Sequence, residues 1–370
     1  MRRLLSVRRL GRVEYEDGLA LQAAYVAARR AGHAPDALLL LEHPPLFTLG
    51  RAAKSGNVLV PREELEAHGF ELHATDRGGD VTYHGPGQIV GYPIIGLAPD
   101  RCDVRRYVRD LEETMIRAVR DFGADAHRVP GWTGIWLGSA ASHDARKIGA
   151  IGVHISRWIS SHGFALNVDP DLSHFQWIVP CGIREGGVTS LARELGHAPE
   201  IASVESALAR HLGEVLGAEL VFRGPDRLSV SVTVVRRGRV PEVLLFRRRS
   251  DRGGFWQIVT GKVEPGEDVA AAAVRELSEE TALDLRISPL GYVHAFALKN
   301  EITGKEPEVL EETAFTCVAD SESRVRLDPA EHDEMKWFSV EDAIQLVPFA
   351  GLKRAIRLAR ARAESDAAAA

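Results

Sequence analysis

The 370-residue sequence predicts two successive domains of mixed α/β (α+β) class. Length is the first observation, because a chain much longer than about 250–300 residues seldom folds around one hydrophobic core. The second is that both halves combine apolar runs typical of strands with amphipathic stretches typical of helices. The third is a turn-rich segment, Arg223–Arg227, after which the pattern starts again. We therefore expect one domain over residues 1–222, a second over 228–360 and a frayed tail over 361–370.

Apolar runs and turn residues predict the strands of the first half. Asp36–Gly50 is typical of a buried strand that ends at Pro44 and Pro45. Arg146–Val168 is rich in β-branched residues and predicts two strands, with the SSHG segment at 160–163 as the turn between them.

Helices are predicted where apolar residues recur at helical spacing. Val104–Gly123 and Ile201–Gly217 both end at glycine, and we expect the second of them to close the first domain. In the second half, Leu228–Arg249 predicts two strands around a turn, Asp268–Thr281 a helix, and Phe349–Arg362 a C-terminal helix.

Composition narrows the possible functions. A net charge of −6 gives no reason to expect a basic surface that binds nucleic acid. The three cysteines, Cys102, Cys181 and Cys317, share no close spacing, which argues against a disulfide framework or a zinc site and favours a reducing compartment. No apolar run is long enough for a signal peptide or a membrane span, so we expect a cytoplasmic location without membrane attachment.

A cysteine, a glycine-rich segment and a lysine form the first candidate site. Cys181 lies between a proline and a glycine, which favours a thiol at a turn facing a cleft. Because a free thiol with a pKa near about 8.5 is mostly protonated at neutral pH, it needs a nearby cation or base. Arg77–Pro93 combines glycines with polar side chains, as ligand-lining loops do. Lys147 enters an apolar strand, where a desolvated ammonium favours an anion such as a thiolate.

Each of these features also has a structural explanation. A lone cysteine is most often a small buried apolar side chain. Arg77–Pro93 would also suit a hairpin turn, although a turn needs fewer glycines, and Lys147 would also suit a surface lysine whose stem alone is buried. The residues by themselves leave these alternatives open.

Five separated segments resemble the octanoyltransferases of lipoate biosynthesis, in the order in which that family has them. The similarity runs over residues 8–215 and implies the fold of biotin and lipoate protein ligases, a mixed sheet flanked by helices. The segments are Leu41–Arg51, Arg77–Pro93, Lys147–Ile155, His162–Val168 and Pro180–Ile183.

This resemblance implies roles for individual residues. Cys181 would be the acyl-thioester nucleophile, and Lys147 would lower the pKa of its thiol. The substrate-binding loop would comprise Arg77, Gly78, Gly79, Asp80, Val81, Thr82, Tyr83 and His84. Two acyl-contacting strips would comprise Ala150, Ile151 and Gly152, and Gly163, Phe164 and Ala165, with Ile151 and Phe164 as candidates for an apolar slot.

The resemblance also implies a reaction and partners. An octanoyl group would pass from octanoyl-acyl carrier protein, through the cysteine, to a lysine of a lipoyl domain, without a cofactor. The acceptors would be the lipoyl domains of 2-oxoacid dehydrogenases and the glycine cleavage H protein. A ligase of the same fold would instead activate a free acid with ATP, and it would not need Cys181.

Clustered glutamates form the second candidate site. On the predicted helix Asp268–Thr281, Glu276, Glu279 and Glu280 stand at i, i+3 and i+4 and share one face. A solvated acidic face is one explanation. The apolar turns before them indicate a packed helix, on which such carboxylates favour Mg²⁺ or Mn²⁺.

The spacing resembles the Nudix box, and the resemblance covers residues 228–360. It implies an α/β/α sandwich that hydrolyses a diphosphate, with Glu276, Glu279 and Glu280 as metal ligands and Glu267 orienting Arg275. One position differs from the Nudix box: residue 282 is alanine, where the family has glycine. The matching positions are Gly261, Glu267, Arg275, Glu276, Leu277, Glu279, Glu280 and Leu283.

Several questions stay open at this point. The segment before the box is most similar to hydrolases of nucleoside triphosphates or dihydroneopterin triphosphate, and Arg247–Arg249 would either meet phosphates or stay solvated. An alternative for the whole chain is an acyl amidotransferase between lipoyl proteins whose second domain senses a nucleotide.

Overall fold

The computed structural model describes residues 3–139, 141, 143–179, 187–236, 238, 240–297, 306–320 and 323–368. The chain divides into two compact units, one of Met1–Gly224 with Lys299–Pro307 and one of Pro225–Leu298 with Glu308–Ala370. Across the described ranges, none of the helices is long and apolar enough to cross a membrane.

The first unit contains two sheets and the helices that cover them. Its strands are β1 (Arg3–Arg12), β2 (Asp36–Glu42), β3 (Leu46–Leu49), β4 (Glu71–Ala74), β5 (Val81–His84), β6 (Gln88–Ile94), β7 (His127–Val129), β8 (Trp132–Leu137), β9 (Arg146–Ser156), β10 (Ile159–Asn167), β11 (Gly187–Val188) and β12 (Ala218–Arg223). Its helices are α1 (Tyr15–Arg30), α2 (Arg62–Ala67), α3 (Val104–Asp121), α4 (Leu191–Leu195) and α5 (Ile201–Leu216).

The larger sheet of this unit is mixed. Within the described residues its strands follow the order β12-β1-β2-β6-β10-β9-β8-β7. The strands β12, β1 and β2 run parallel, and the later neighbours are antiparallel. Strand β11 pairs in parallel with the first two residues of β9, beyond the end of the β9–β10 ladder. A small sheet of order β4-β3-β5 lies apart from it.

Helix α3 shows how the sequence builds the core beneath the larger sheet. The Asp103 side chain accepts hydrogen bonds from the backbone N–H groups of Arg105 and Arg106 and so caps the first turn. Tyr107, Leu111 and Met115 then recur on one face and enter the main core cluster with strands β6, β9 and β10. The predicted helix and its end near Gly123 are confirmed.

Two details of the prediction for this unit are wrong. The turn between β9 and β10 is at Arg157 and Trp158, both with positive φ, and residues 160–163 lie inside β10. Ser160 stays in the strand because its buried hydroxyl donates to the Pro93 carbonyl, 2.7 Å away. Helix α5 does not close the unit either, because β12 follows it and pairs with β1.

The second unit is a mixed sheet with helices on both faces. Its strands are β13 (Arg227–Arg236), β14 (Glu242–Arg248), β15 (Trp256–Gln257), β16 (Val259–Lys262), β17 (Ser288–Ala297), β18 (Val309–Ala319) and β19 (His332–Ser339). Its helices are α6 (Val269–Thr281), α7 (Val340–Leu346) and α8 (Ala350–Ala368). Strand β13 pairs in parallel with β18 and antiparallel with β14 and β16.

Two core clusters correspond to the two faces of this sheet. One contains Ala272, Ala273 and Leu277 of α6, and the other contains Leu352 and Ile356 of α8. Both clusters include alternate residues of β14, as expected for a strand that is covered on both faces. This is the α/β/α arrangement that the Nudix resemblance implied.

The C-terminal helix is longer than predicted. Helix α8 continues to Ala368, where a frayed tail from residue 361 was expected. Ion pairs at i, i+4 spacing, Arg360–Glu364 and Arg362–Asp366, support the added turns. Alanine-rich sequence adds to this, because alanine has the highest helix propensity.

Candidate active sites

The β9–β10 hairpin brings the two predicted acyl-contacting strips together. Gly163 pairs with Gly152, Phe164 with Ile151 and Ala165 with Ala150. Phe164 belongs to the main core cluster and Ile151 packs against it. Because side chains alternate along a strand, the glycines and alanines share the opposite face and leave it almost free of side-chain bulk.

The glycine-rich loop packs directly on this face. The Gly78 N–H donates to the Val153 carbonyl of β9, 3.0 Å away. A Cβ atom on Gly152 would lie 2.7 Å from the Gly78 oxygen, so the approach requires glycine at 152. The Arg77 guanidinium donates to the Thr48 carbonyl at 2.7 Å, which anchors the loop to β3.

A cavity lies between the loop and the hairpin. Of the predicted substrate-binding residues, ten line it: Arg77, Gly79, Thr82, His84, Ala150, Ile151, Gly152, Gly163, Phe164 and Ala165. Four further lining residues were missed by the sequence analysis: Tyr15, Val90, Tyr92 and His162. Three of these four lie inside the segments that resemble the family, and that position could have identified them. Tyr15 lies in none of those segments, so nothing in the sequence indicated it.

Four predicted loop residues are not among those that line the cavity. Val81 and Tyr83 are buried beneath the small sheet, in a core cluster with Phe47. The Asp80 carboxylate accepts a hydrogen bond from the Val81 N–H at 2.7 Å. Together with Gly78, which donates a hydrogen bond to β9, these residues stabilise the fold of the loop and do not line the cavity.

Hydrogen bonds set the tautomer of His84, and burial sets its charge. Its Nδ1–H donates to Gln88 Oε1 at 2.7 Å, and Gln88 Nε2 donates to Asn167 Oδ1 at 2.9 Å. The Asn167 amide donates in turn to the Thr189 carbonyl at 3.0 Å. Burial lowers the pKa of His84 to about 3, so the imidazole is neutral at physiological pH.

Lys147 lies where the strand that neighbours β9 changes from β10 to β11. Its side chain is 6% exposed and lines a second, inner chamber. The chamber shares Thr82, Ala150 and Ala165 with the larger cavity, so the two adjoin. Val188 of β11 pairs with Lys147, and the Thr189 N–H donates to the Lys147 carbonyl at 2.9 Å.

Cys181, the predicted nucleophile, lies outside the described residues, as do both of its neighbours. The described chain ends before it at Val179 and resumes at Gly187, which pairs with Arg146 beside Lys147. The other two cysteines differ from a nucleophile in their surroundings. Cys102 is exposed, and burial in the second unit raises the pKa of Cys317 to about 12, which keeps that thiol protonated.

In the second unit, Arg275 organises the predicted glutamate site. It forms the expected bidentate pair with Glu267, with both N–O distances 2.9 Å, and it also donates to the Lys262 carbonyl at 2.9 Å. Hydrogen bonding to Arg275 lowers the pKa of Glu267 to about 2. A third contact, 2.8 Å long, joins Arg275 to Glu276.

The three predicted metal ligands differ in their surroundings. Burial raises the pKa of both Glu276 and Glu280, whereas the Glu279 side chain is 60% exposed. Glu280 accepts a hydrogen bond from buried His332 at 3.1 Å. A Cβ atom on Gly261 would lie 1.8 Å from the Glu276 carboxyl carbon, so β16 passes Glu276 only because residue 261 is glycine.

A hard divalent cation fits this donor set by its chemistry, because it would offset the burial and mutual repulsion of Glu276 and Glu280. In the part of the chain that the structure describes, no three His, Cys, Asp or Glu side chains are assembled around one metal position. Ala282 ends α6 with φ of 55° and ψ of 22°, the left-handed conformation that favours glycine.

The arginines before the box are engaged with carboxylates. Arg247 lies 3.8 Å from Glu334, Arg248 lies 3.4 Å from Glu331, and Arg249 lies 3.0 Å from Asp251. Of the two explanations for Arg247–Arg249, this geometry favours solvated strand-end ion pairs.

Comparison with known proteins covers both units. The lipoyl protein ligase A/B catalytic domain family matches residues 14–213, and the NUDIX domain family matches residues 225–358. An octanoyltransferase of Myxococcus xanthus is 52% identical over 359 residues, which cover 96% of this chain and 99% of that protein. An octanoyltransferase of Rubrobacter xylanophilus is 52% identical over 219 residues, 58% of this chain and 96% of that protein.

Among solved structures, a bi-partite lipoate protein ligase of Thermoplasma acidophilum matches 60% of this chain and 87% of its own, at 17% identity and a TM-score of 0.47. The Myxococcus match runs through both units described above. The chain therefore belongs to the octanoyltransferase family, with a lipoyl protein ligase A/B catalytic domain followed by a NUDIX hydrolase domain.

Proposed function

We propose that the first unit transfers an octanoyl group from octanoyl-acyl carrier protein to a lysine of a lipoyl domain, through a thioester on Cys181. The observation that carries the proposal is Lys147, a buried lysine whose chamber adjoins the cavity between the glycine-rich loop and the β9–β10 hairpin. A buried amine beside such a cavity suits acid–base work on a thiol.

In the first half-reaction, the Cys181 thiolate attacks the carbonyl carbon of the donor thioester. The bond to the phosphopantetheine sulfur breaks, and that sulfur takes a proton from the Lys147 ammonium and leaves as a thiol. Lys147 is then neutral. The octanoyl group is held on Cys181 by a new C–S bond.

In the second half-reaction, the acceptor lysine amine attacks the Cys181 thioester. An amide bond forms, Cys181 leaves as a thiolate, and the nitrogen gives its proton to neutral Lys147. The enzyme thus returns to its starting state without a cofactor. Each methylene that enters the cavity adds about 0.8 kcal/mol of binding from burial of apolar surface.

Intact-protein mass spectrometry after incubation with octanoyl-acyl carrier protein tests the proposal. Wild type should gain one octanoyl group and lose it when a lipoyl domain is added, whereas Cys181→Ala should gain none. Cys102→Ala is the matched control and should behave as wild type, because Cys102 is exposed and lines neither cavity. Normal turnover by Cys181→Ala would end the covalent mechanism.

Two rival activities predict different donors. An ATP-dependent ligase would use free octanoate, and an amidotransferase would take the acyl group from an octanoylated lipoyl protein. We expect transfer from octanoyl-acyl carrier protein to lipoyl domains of 2-oxoacid dehydrogenases or glycine cleavage H protein to be fastest. Those partners favour a cytoplasmic location.

We propose that the NUDIX domain hydrolyses a diphosphate bond in a nucleotide or a dihydroneopterin triphosphate-like substrate, with Mg²⁺ or Mn²⁺. Glu276, Glu279 and Glu280 would hold the cation, which supplies charge neutralisation and an activated water. Glu267 and Arg275 keep Glu276 oriented through the ion pairs described above. The intact carboxylate set supports hydrolysis over a regulatory role that only senses a nucleotide.

A panel of nucleotides assayed for phosphate and pyrophosphate release tests this second activity. Hydrolysis should require the divalent cation and fall at least about 100-fold in Glu279→Gln and Glu280→Gln. Glu341→Gln is the control, because Glu341 is an exposed glutamate on α7. A domain that binds nucleotides but hydrolyses none of them would support the sensing role instead.

A further inference from the structure

The pairing of β8 with β9 changes register at Lys147. Ile135 pairs with Gly149 but the next residue, Trp136, pairs with Lys147. Ile148 is therefore an extra residue in β9, which is a β-bulge. Bulges occur next to active sites, where they change the direction of a neighbouring side chain.

Because of this bulge, Trp136 of β8 and Lys147 of β9 lie directly opposite each other on neighbouring strands. The Lys147 Nζ lies 4.7 Å from the centre of the Trp136 ring, within the range of a cation–π contact. Trp136 is 1% exposed, so solvent screens the contact little.

The indole ring is itself held in place. The Trp132 ring packs against it with centroids 4.8 Å apart, and Val129 and Ala145 complete the small cluster around it. A ring that is fixed in this way offers its face at a constant position, which a loosely packed aromatic side chain would not do.

Among the described residues, Arg146, which precedes Lys147 on β9, and Glu112 of α3 both form ion pairs. Arg146 makes a bidentate contact with Glu194 at 2.9 and 3.0 Å, and Glu112 of α3 pairs with Arg128. Apart from Lys147, the described residues that line the inner chamber are uncharged: Thr82, Gln88, Gly149, Ala150, Ala165, Asn167, Phe175 and Val188. Behind Gln88, on β5, lies neutral His84.

We propose that Trp136 is a positioning residue for Lys147: its ring face holds the Lys147 ammonium at the inner chamber, in the place from which it acts on the Cys181 thiol. The inference rests on the proposed function of the first unit. It assigns to Trp136 a role in the chemical step rather than in binding of the donor.

Two variants separate this role from packing. Trp136→Leu removes the ring face, and Trp136→Phe keeps a weaker one. Leu137→Ala is the control, because Leu137 is a buried residue of the same strand with no contact of this kind. All variants carry Cys102→Ala, so that iodoacetamide adducts counted by mass report on Cys181.

We expect the alkylation profile of Trp136→Leu to move to higher pH, because an ammonium that the ring no longer holds in position stabilises the Cys181 thiolate less. The kcat for octanoyl transfer should fall about 10–30-fold in Trp136→Leu with KM for the donor changed less than about twofold, and Trp136→Phe should lie between. Leu137→Ala should keep the wild-type profile.

A wild-type profile and kcat in folded Trp136→Leu would overturn the inference while leaving the proposed function intact. If Trp136→Leu does not fold, Trp136→Phe decides, because an unchanged profile there would overturn the inference as well. Failure of the proposed function is recognised separately, by octanoyl transfer that persists in Cys181→Ala.

Discussion

At the scale of single residues, the surroundings of a side chain decide its chemistry. Two cysteines of one chain illustrate this, since Cys102 is exposed and Cys317 has its pKa raised to about 12 by burial. Two buried histidines, His43 and His84, are likewise kept neutral by burial. None of these states follows from residue type, because each depends on what the fold packs against the group.

Ala282→Gly should stabilise the NUDIX domain by about 0.5–1 kcal/mol. Alanine at φ of 55° bears the strain of the left-handed region, which glycine avoids, although glycine also raises the entropy of the unfolded chain. Ala271→Gly, at an exposed position inside the same helix, should destabilise by about 1 kcal/mol. Urea denaturation measures both, and a destabilising Ala282→Gly would contradict the argument.

Acid should destabilise the first unit through His43. The imidazole donates from Nδ1 to the Val13 carbonyl and accepts at Nε2 from the Tyr92 hydroxyl, both at 2.7 Å, and burial lowers its pKa to about 4. An unfolded histidine has a pKa near about 6.5, so the unfolded state binds the proton first as pH falls from about 6.5 to about 4.

Up to roughly 3 kcal/mol of stability should be lost over that interval through this one group. His43→Gln cannot take up the proton, so its stability deficit at pH 7 should shrink as pH approaches 4. Denaturant midpoints of both proteins across this range give the comparison. A deficit independent of pH would rule out the explanation.

At the scale of elements, the β9–β10 hairpin carries most of the first site. It supplies both small-residue strips and the bulge at Ile148, and Lys147 lies where β9 leaves β10 for β11. Its turn is strained, because Arg157 and Trp158 have φ of 51° and 59° without being glycine or asparagine.

A turn of Asn and Gly should relieve that strain. The double variant Arg157→Asn and Trp158→Gly should raise the free energy of unfolding by about 1–2 kcal/mol and leave octanoyl transfer unchanged. Each single variant should give part of the gain. Loss of transfer in the stabilised double variant would indicate instead that the exposed Trp158 takes part in docking a protein substrate.

At the scale of the whole molecule, each site is built within one unit. The described residues around Lys147 belong to the first unit, and the glutamates of α6 belong to the second. The residues proposed for the two activities therefore come from different units.

The two activities should be separable by mutation. Cys181→Ala should abolish octanoyl transfer and keep nucleotide hydrolysis, and Glu279→Gln should do the reverse. Both assays on both variants, with wild type alongside, give the result. A variant that loses both activities while its thermal unfolding is unchanged would show that the sites depend on each other.

Much of the architecture could be predicted because its signals are local. The apolar spacing of α3 and its end near Gly123, and the extent of α6, follow from neighbours within a few turns, and the Glu267–Arg275 pair was implied by the resemblance to the Nudix box. The turn at Arg157 and Trp158 could not, because a tertiary hydrogen bond of Ser160 keeps residues 160–163 in the strand. Tyr15 in the cavity wall had no local signal at all.

The two domains and the family that each resembles could be inferred from the sequence, because the turn-rich boundary and the motifs are contiguous along the chain. The folded chain alone shows that ten of the predicted loop and strip residues share one cavity, and that Lys147 faces the ring of Trp136. The reason is physical: strand register and a single-residue bulge bring distant residues together, and neither is encoded in any one segment.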